Sequence, residues 1–198
     1  MDYIIFGFIR YNSPMKKIVI LFSGTGFNAQ NIVKKLHKKE CEVVCGITNK
    51  KESGGLEKLQ ELGIKTEILE HTGFDTRESF DAELVKIIHS YEPDLVVLSG
   101  FMRILTEVFT SNIPAINLHP SLLPKFKGSR AIERSFESED TECGVSVHHV
   151  NSELDAGEII LQTSFIKSAD DTLESFANKI KDIEYKIMPD AIIKVLKD

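Results

Sequence analysis

Runs of apolar residues without alternating polar positions recur along the chain and constrain its fold more than any other feature. Residues 17–22 and 95–98 are the clearest, with the sequences Lys-Ile-Val-Ile-Leu-Phe and Leu-Val-Val-Leu. A strand has this composition when both of its faces are buried, as in a parallel sheet covered by helices. Further strand patterns cover residues 42–49, 65–69 and 115–118. Because helical patterns separate these strands, we predict a doubly wound α/β fold with a mostly parallel sheet and helices on both faces.

Capping signals and alternation predict the remaining elements. Residues 75–78 (Asp-Thr-Arg-Glu) and 171–174 (Asp-Thr-Leu-Glu) both have the Asp-x-x-Glu form of a capping box, so a helix is expected to begin at each. Apolar and polar residues alternate over residues 144–150, which predicts a strand that pairs with residues 159–166. With no repeat or linker between these elements, residues 15–198 are predicted to form a single domain.

Three unusual turns each follow a predicted strand. They are Gly24–Asn28, Gly100–Leu105 and Asn117–Pro124. In doubly wound sheets, ligands bind beyond the carboxyl ends of the strands. The three turns are therefore predicted to meet at one binding edge.

The first of these turns has the form of an anion site. A strand, a Gly-Thr-Gly turn and a helix bring backbone N–H groups and the positive helix end to one point. The pattern matches neither the dinucleotide fingerprint nor the lysine-containing phosphate loop, so a monophosphate fits it better. The alternative is a plain strand-to-helix turn that uses glycine only for its backbone freedom.

The third turn carries a polar pair. Asn117 and His119 lie two residues apart at a strand end, so their side chains are predicted to point the same way. Pro120 and Pro124 then end regular strand pairing. Two such donors can stabilise a carbonyl oxygen that gains negative charge. A polar pair exposed at a strand end, without chemistry, is the alternative.

Composition narrows the classes of partner. The formal charge of -6 argues weakly against nucleic acid, and no apolar segment reaches the roughly 18 residues that span a membrane. Three cysteines without a second Cys/His pair of suitable spacing predict buried thiols rather than a metal site. Residues 1–14 have the reverse of a signal peptide's charge order, so we expect an N-terminal extension and a cytoplasmic protein.

Four motifs resemble one enzyme family in order and spacing. They are Ser-Gly-Thr-Gly-Phe-Asn at 23–28, Gly-Phe-Met-Arg-Ile-Leu at 100–105, Asn-Leu-His-Pro-Ser-Leu-Leu-Pro at 117–124 and Glu-Leu-Asp-Ala-Gly at 153–157. Together they resemble the phosphoribosylglycinamide formyltransferases, folate-dependent enzymes of purine synthesis. The resemblance implies transfer of a formyl group from 10-formyltetrahydrofolate, a co-substrate, to the amine of glycinamide ribonucleotide. It implies no metal, only small-molecule partners, and a monomer or a homodimer with one catalytic domain over residues 15–198.

The resemblance also assigns residues. The implied catalytic residues are Asn117, His119 and Asp155. The implied ribonucleotide-binding residues are Gly26, Phe27, Asn28 and Glu184. The implied folate-binding residues are Arg77, Met102, Arg103, Ile104, Leu105 and Asn117. A carboxylate at position 155 near His119 is expected to raise the pKa of the imidazole and favour its cation. His148 and His149 face opposite ways on a strand, so at least one is expected to be structural.

Two segments depart from the family pattern, and three other functions are alternatives. Phe27 stands where the family usually has serine, which removes a hydroxyl from the phosphate site. Residues 128–132 (Gly-Ser-Arg-Ala-Ile) replace a segment that often contains histidines. Methionyl-tRNA formyltransferase has a further tRNA-binding domain, and formyltetrahydrofolate deformylase has an N-terminal regulatory domain for which 14 residues are too few. A non-enzymatic nucleotide-binding module would leave Asn117, His119 and Asp155 without a joint purpose.

Overall fold

The sheet is mixed and has seven strands. The computed structural model describes residues 14–198, so the predicted extension lies, up to residue 13, outside the described residues. The strands are β1 (Lys17–Phe22), β2 (Glu42–Thr48), β3 (Thr66–Ile68), β4 (Leu95–Leu98), β5 (Ala115–His119), β6 (Glu142–His149) and β7 (Ile159–Ile166). Their order across the sheet is β3-β2-β1-β4-β5-β6-β7. The first five in this order are parallel, and β6 and β7 join antiparallel. The predicted fold class is confirmed.

Helices cover both faces of the sheet. They are α1 (Phe27–Leu36), α2 (Gly55–Glu61), α3 (Arg77–His89), α4 (Glu107–Thr110), α5 (Ala131–Glu137) and α6 (Leu173–Lys197). Strand β1 shows why the apolar runs are continuous. Ile18 and Ile20 pack with α1 and α6 on one face, whereas Val19 and Leu21 pack with α3 on the other, and all four are fully buried. Each buried side chain of this size stabilises the fold by about 1.5–3 kcal/mol.

The longest helix, α6, closes one face of the sheet. Phe176, Ile180, Ile187 and Met188 form its buried stripe, at the spacing that keeps side chains on one helix face. The half-buried Glu184 lies on the same helix, so packing of this stripe also positions that carboxyl group. Among the helices between residues 14 and 198, none combines the length and apolar character that a bilayer-spanning helix needs.

Both predicted capping boxes are wrong by one residue. The N-caps are Thr76 and Thr172, and the third residues of the boxes are Ser79 and Ser175. In each box the threonine Oγ1 accepts from the serine backbone N–H at 3.1 Å. Asp171 instead accepts from Lys179 Nζ at 2.7 Å. At each helix start an Asp-x-x-Glu and a Thr-x-x-Ser pattern overlap, and the threonine and serine form the capping box. Helices α4 and α5 were not predicted.

The turn between β1 and α1 depends on close backbone contact. Gly26 is the N-cap of α1 and has a left-handed φ of 72°. A Cβ atom on Gly26 would lie 2.3 Å from the Cα atom of Gly55, at the start of α2. Since that neighbour is backbone, it cannot move aside as a side chain does. Glycine is therefore required here for its conformation and for its lack of a side chain.

Alanine substitutions at two glycines separate these requirements. Gly63 has nearly the same φ, 73°, but nothing lies within 4 Å of its missing Cβ atom. Gly63→Ala should lower the free energy of unfolding by about 1–2 kcal/mol, from backbone strain alone. Gly26→Ala should cost clearly more, because it adds the clash with Gly55. Urea unfolding of both variants measures the difference, and equal losses would contradict the close-contact explanation.

Candidate active site

The three turns meet at one edge of the sheet and line two adjoining clefts. The Asn117 cleft, of about 550 Å³, is lined by the segments 100–105, 117–120, 128–131 and 150–155, with Leu98 and His148. The glycine-turn cleft, of about 410 Å³, is lined by residues 24–28 and by residues of α6. Gly100 and Met102 line both clefts. Two ligands bound side by side would therefore meet at this shared wall.

A single carboxylate connects the predicted catalytic residues. Strand β5 places Asn117 and His119 on one side, and Asp155 reaches them from the loop between β6 and β7. Asp155 Oδ1 accepts from Asn117 Nδ2 at 3.3 Å, and Asp155 Oδ2 lies 3.3 Å from His119 Nδ1. The backbone N–H of Gly128 donates to Oδ2 at 2.7 Å. These contacts hold Asp155 buried and in a left-handed conformation, with φ at 49°.

His119 has an acceptor on each side of its ring. Its Nε2 lies 2.9 Å from the carbonyl oxygen of Phe126, opposite the contact with Asp155. Burial lowers the pKa of His119, whereas the Phe126 carbonyl and the Asp155 carboxylate raise it, and burial is the larger effect. The pKa of His119 therefore lies below its ordinary value. The prediction of a raised pKa was right about the influence of Asp155 and wrong about the net direction.

Asp155 itself is held in its anionic form. Burial is the largest single influence on the pKa of Asp155 and raises it. Hydrogen bonds from His148 and from the Gly128 backbone, with the nearby charge of His119, together outweigh burial and lower the pKa. A buried charge is stable only when it is well hydrogen-bonded, and this one has several donors within reach. The site thus keeps a fixed negative charge beside His119, and that charge supports the imidazolium against the effect of burial.

His148 belongs to the site, although sequence reasoning did not place it there. It is buried, and its Nε2 lies 3.2 Å from Asn117 Nδ2 and 3.5 Å from Asp155 Oδ1. Its Nδ1 lies 2.8 Å from the carbonyl oxygen of His149, and that contact orients the ring. The antiparallel register pairs His148 with Asn117 across β5 and β6. Alternation along β6 correctly separated His148 from the exposed His149, but only the strand register indicates which one faces the site.

The glycine-turn cleft joins α1 to α6. Asn28 Nδ2 donates to Glu184 Oε2 at 2.9 Å, and burial raises the pKa of Glu184 against the opposing effect of Asn28. Phe27 is half-exposed, and two ammonium groups approach its ring, Lys58 Nζ at 4.7 Å and Lys181 Nζ at 4.8 Å. Lys181 also lines the cleft, although the sequence did not single it out. Cationic side chains thus flank a turn that was predicted to bind phosphate through backbone alone.

The predicted folate-binding residues divide into two groups. The segment 102–105 lines the Asn117 cleft, and Met102 and Ile104 expose much of their side chains there. Arg103 stacks over the ring of Phe80 at 5.5 Å. Arg77 is exposed at the start of α3 and lies outside the lining of both clefts. The geometry therefore brings together every predicted site residue except Arg77.

Comparison with known proteins identifies the family. The sequence profile described as formyl transferase matches residues 16–192. The chain belongs to the formyl transferase family. It is 41% identical over 176 residues to phosphoribosylglycinamide formyltransferase of Escherichia coli K12, covering 87% of this chain and 83% of that protein. The Haemophilus influenzae protein of the same name is 35% identical over 179 residues, covering 88% and 84%.

A solved structure of the family agrees with this fold over nearly the whole chain. The crystal structure of phosphoribosylglycinamide formyltransferase from Campylobacter jejuni superposes with a TM-score of 0.91 and is 47% identical in sequence. The match covers 93% of this chain and 100% of that one. The arrangement of strands and helices is therefore that of a formyl transferase.

A titration of His119 tests the electrostatics of the site without any substrate. Asp155→Asn removes the nearby anion, so the imidazolium loses support and the pKa of His119 should fall further below its ordinary value. Glu153→Gln is the matched control, because Glu153 is exposed on the same loop and pairs with Lys127. NMR of the histidine side chains measures both variants. A pKa that does not change, or that rises, in Asp155→Asn would contradict the assigned contact.

Proposed function

We propose that this chain transfers the formyl group of 10-formyltetrahydrofolate to the amine of glycinamide ribonucleotide, with Asn117, His119 and Asp155 as its catalytic residues. The observation that supports the proposal most is the position of Asp155, whose two oxygens contact Asn117 and His119 in one cleft. The named relatives, similar over most of their length, support the same reaction. The products are formylglycinamide ribonucleotide and tetrahydrofolate, in purine synthesis.

The reaction needs stabilisation of negative charge on oxygen. The amine nitrogen bonds to the formyl carbon, and the bond between that carbon and folate N10 then breaks. The attacking nitrogen loses a proton, and N10 gains one. Between these steps the formyl oxygen carries negative charge, which Asn117 Nδ2 and a ring N–H of His119 can stabilise as donors. Asp155 is placed to accept the amine proton directly or through water.

The lowered pKa of His119 suits a site that waits for its substrate. A buried neutral imidazole costs less to keep in the free protein than a buried cation. When the formyl oxygen gains negative charge nearby, that charge favours the imidazolium, whose proton the attacking amine or water can supply, and a charge-assisted hydrogen bond then stabilises the intermediate until the proton passes to N10. The contacts of Asn117 and His119 with Asp155 are both 3.3 Å long. Because these contacts are long, both side chains can exchange them for hydrogen bonds to the substrate oxygen.

The two clefts suggest how the substrates are placed. We assign the ribonucleotide phosphate to the backbone amides of residues 26–28, next to Lys181, and the rest of that substrate to the wall formed by Glu184. The folate donor is assigned to the Asn117 cleft, against Met102, Arg103, Ile104 and Leu105. The amine and the formyl group would then meet near Gly100 and Met102. A folate contact of Arg77 stays a prediction of the sequence resemblance.

The proposal involves two small molecules, no nucleic acid and no membrane, and it requires no metal, because side chains supply both the oxyanion donors and the proton acceptor. The cytoplasm is the proposed location. Whether the chain acts as a monomer or a homodimer stays a prediction. Three arms of one assay separate the related activities: 10-formyltetrahydrofolate is supplied with glycinamide ribonucleotide, with charged initiator tRNA, or with water alone.

Transfer to glycinamide ribonucleotide should exceed release of formate to water and formylation of tRNA by several orders of magnitude. The reason is that a bound amine reacts as a positioned nucleophile, with a large advantage in effective concentration. Tetrahydrofolate formation and the formylated product are measured together in each arm. Equal tetrahydrofolate formation with and without the ribonucleotide would contradict the proposed function, as would preferential formylation of tRNA.

Phe27→Ser tests how the phosphate is held. If backbone amides of the glycine turn provide the contact, binding of glycinamide ribonucleotide should change little, or tighten through the new hydroxyl. Phe27→Leu is the control, because it removes the ring from Lys58 and Lys181 without adding a hydroxyl. Titration calorimetry measures both variants. A loss of more than about tenfold in affinity, or about 1.4 kcal/mol, in folded Phe27→Ser would count against binding by the backbone.

A further inference from the structure

A short arch of backbone with unusual dihedral angles supports His119 and Asp155. The arch, residues 126–130, contains three left-handed residues, Phe126, Gly128 and Arg130, with φ values of 57°, 80° and 56°. Left-handed backbone is strained in residues other than glycine, so surrounding contacts must hold it. The arch provides a hydrogen-bonding group to His119 and another to Asp155. The Phe126 carbonyl faces His119 Nε2, and the Gly128 N–H donates to Asp155.

Arg134 holds this arch from outside the cleft. It lies exposed on α5, one turn after the end of the arch, and it lines neither cleft. Its guanidinium donates to the Phe126 carbonyl at 2.7 Å and also to the Lys127 carbonyl. Both hydrogen bonds come from Nη2, so one nitrogen of a rigid planar group holds two successive peptide oxygens.

The Phe126 carbonyl therefore lies against two groups that can donate to it, Nε2 of His119 and the guanidinium of Arg134. In the free protein this carbonyl oxygen lies within hydrogen-bond distance of Nε2 of His119. That nitrogen could otherwise donate a hydrogen bond to the formyl oxygen. If the ring turned its N–H to a substrate oxygen, a carbonyl without another donor would be left unpaired in a half-buried position, which has a desolvation cost. Arg134 removes that cost, because its hydrogen bond to the same oxygen remains.

We propose that Arg134 is a positioning residue for His119, holding the Phe126 carbonyl so that the imidazole is oriented in the free protein and released to the substrate. This inference rests on the proposed function for its catalytic part. The part of the inference that concerns how Arg134 orients His119 applies to the unliganded protein and does not depend on that function. No contact of Arg134 with substrate is involved, so it is not a catalytic residue.

The charge of Arg134 gives the proposal a measurable sign. The charged or titratable groups that face His119 are Asp155 from the β6–β7 loop, His148 from β6 and Arg134 from α5. Asp155 favours the imidazolium, whereas His148 and Arg134 disfavour it. Removing Arg134 should therefore raise the pKa of His119. A residue with only a structural role would lower stability without this effect.

The experiment compares Arg134→Met, Arg134→Lys and the wild type. In Arg134→Met, kcat should fall about 10- to 100-fold through misorientation of His119, with KM for either substrate nearly unchanged. The pKa of His119, read by NMR in the unliganded protein, should rise. Arg134→Lys keeps the charge but loses the rigid planar geometry of the guanidinium, so the pKa of His119 should stay near the wild-type value while kcat falls in part. Lys125→Met removes a charge from the neighbouring segment, where Lys125 pairs with Asp140, and should change neither reading.

The proposal needs both readings to change in folded Arg134→Met. An unchanged pKa of His119 with a lower kcat would leave Arg134 a purely structural role and overturn the proposal, as would a wild-type kcat with a raised pKa. Should Arg134→Met fail to fold, Arg134→Gln decides by the same two readings. If the wild type transfers no formyl group, the proposed function fails, whereas the NMR reading still decides whether Arg134 acts on His119.

Discussion

The buried carboxylate of Asp155 is the constraint on which the site depends. A charge with so little exposure is tolerated only where donors surround it, and here they come from β5, β6 and the arch. Asn117 and His119 share strand β5, and Asp155 contacts both, so the three side chains converge on one point. The left-handed conformation of Asp155 adds to the cost, which the same donors offset. Few other arrangements of this loop would satisfy the charge, so it also orders the wall of the cleft.

The sheet explains why such a site can be built at all. Parallel strands β1 and β4 deliver their turns to the same edge, and the antiparallel pairing of β6 with β5 places His148 opposite Asn117. Buried side chains on both faces of β1 fix the strand and leave its carboxyl end free for the glycine turn. The close contact between Gly26 and Gly55 then sets where α1 begins, and with it the position of the backbone amides. Packing in the core therefore determines where the polar groups of the site lie at the edge of the sheet.

Local patterns in the sequence predicted much of this, and the failures have physical causes. Continuous apolar runs require burial on both faces, so the parallel sheet followed from them, and a spacing of two put Asn117 and His119 on one side. The role of His148 depends on strand register, which no local pattern contains. The net pKa of His119 depends on burial, and burial exists only in the folded chain. The capping boxes were misplaced because Asp-x-x-Glu and Thr-x-x-Ser patterns, offset by one residue, overlap at both helix starts.

The central claim is that His119 and Asp155 act as one unit on the formyl oxygen and the amine. The most direct test is a double-mutant cycle of His119→Ala and Asp155→Asn, with kcat measured at saturating concentrations of both substrates. Loss of one oxyanion donor is worth roughly 10²–10³ in rate. If the residues act together, the double variant should lose far less than the product of the two single losses. Fully multiplicative losses would show that they work independently and would contradict this account.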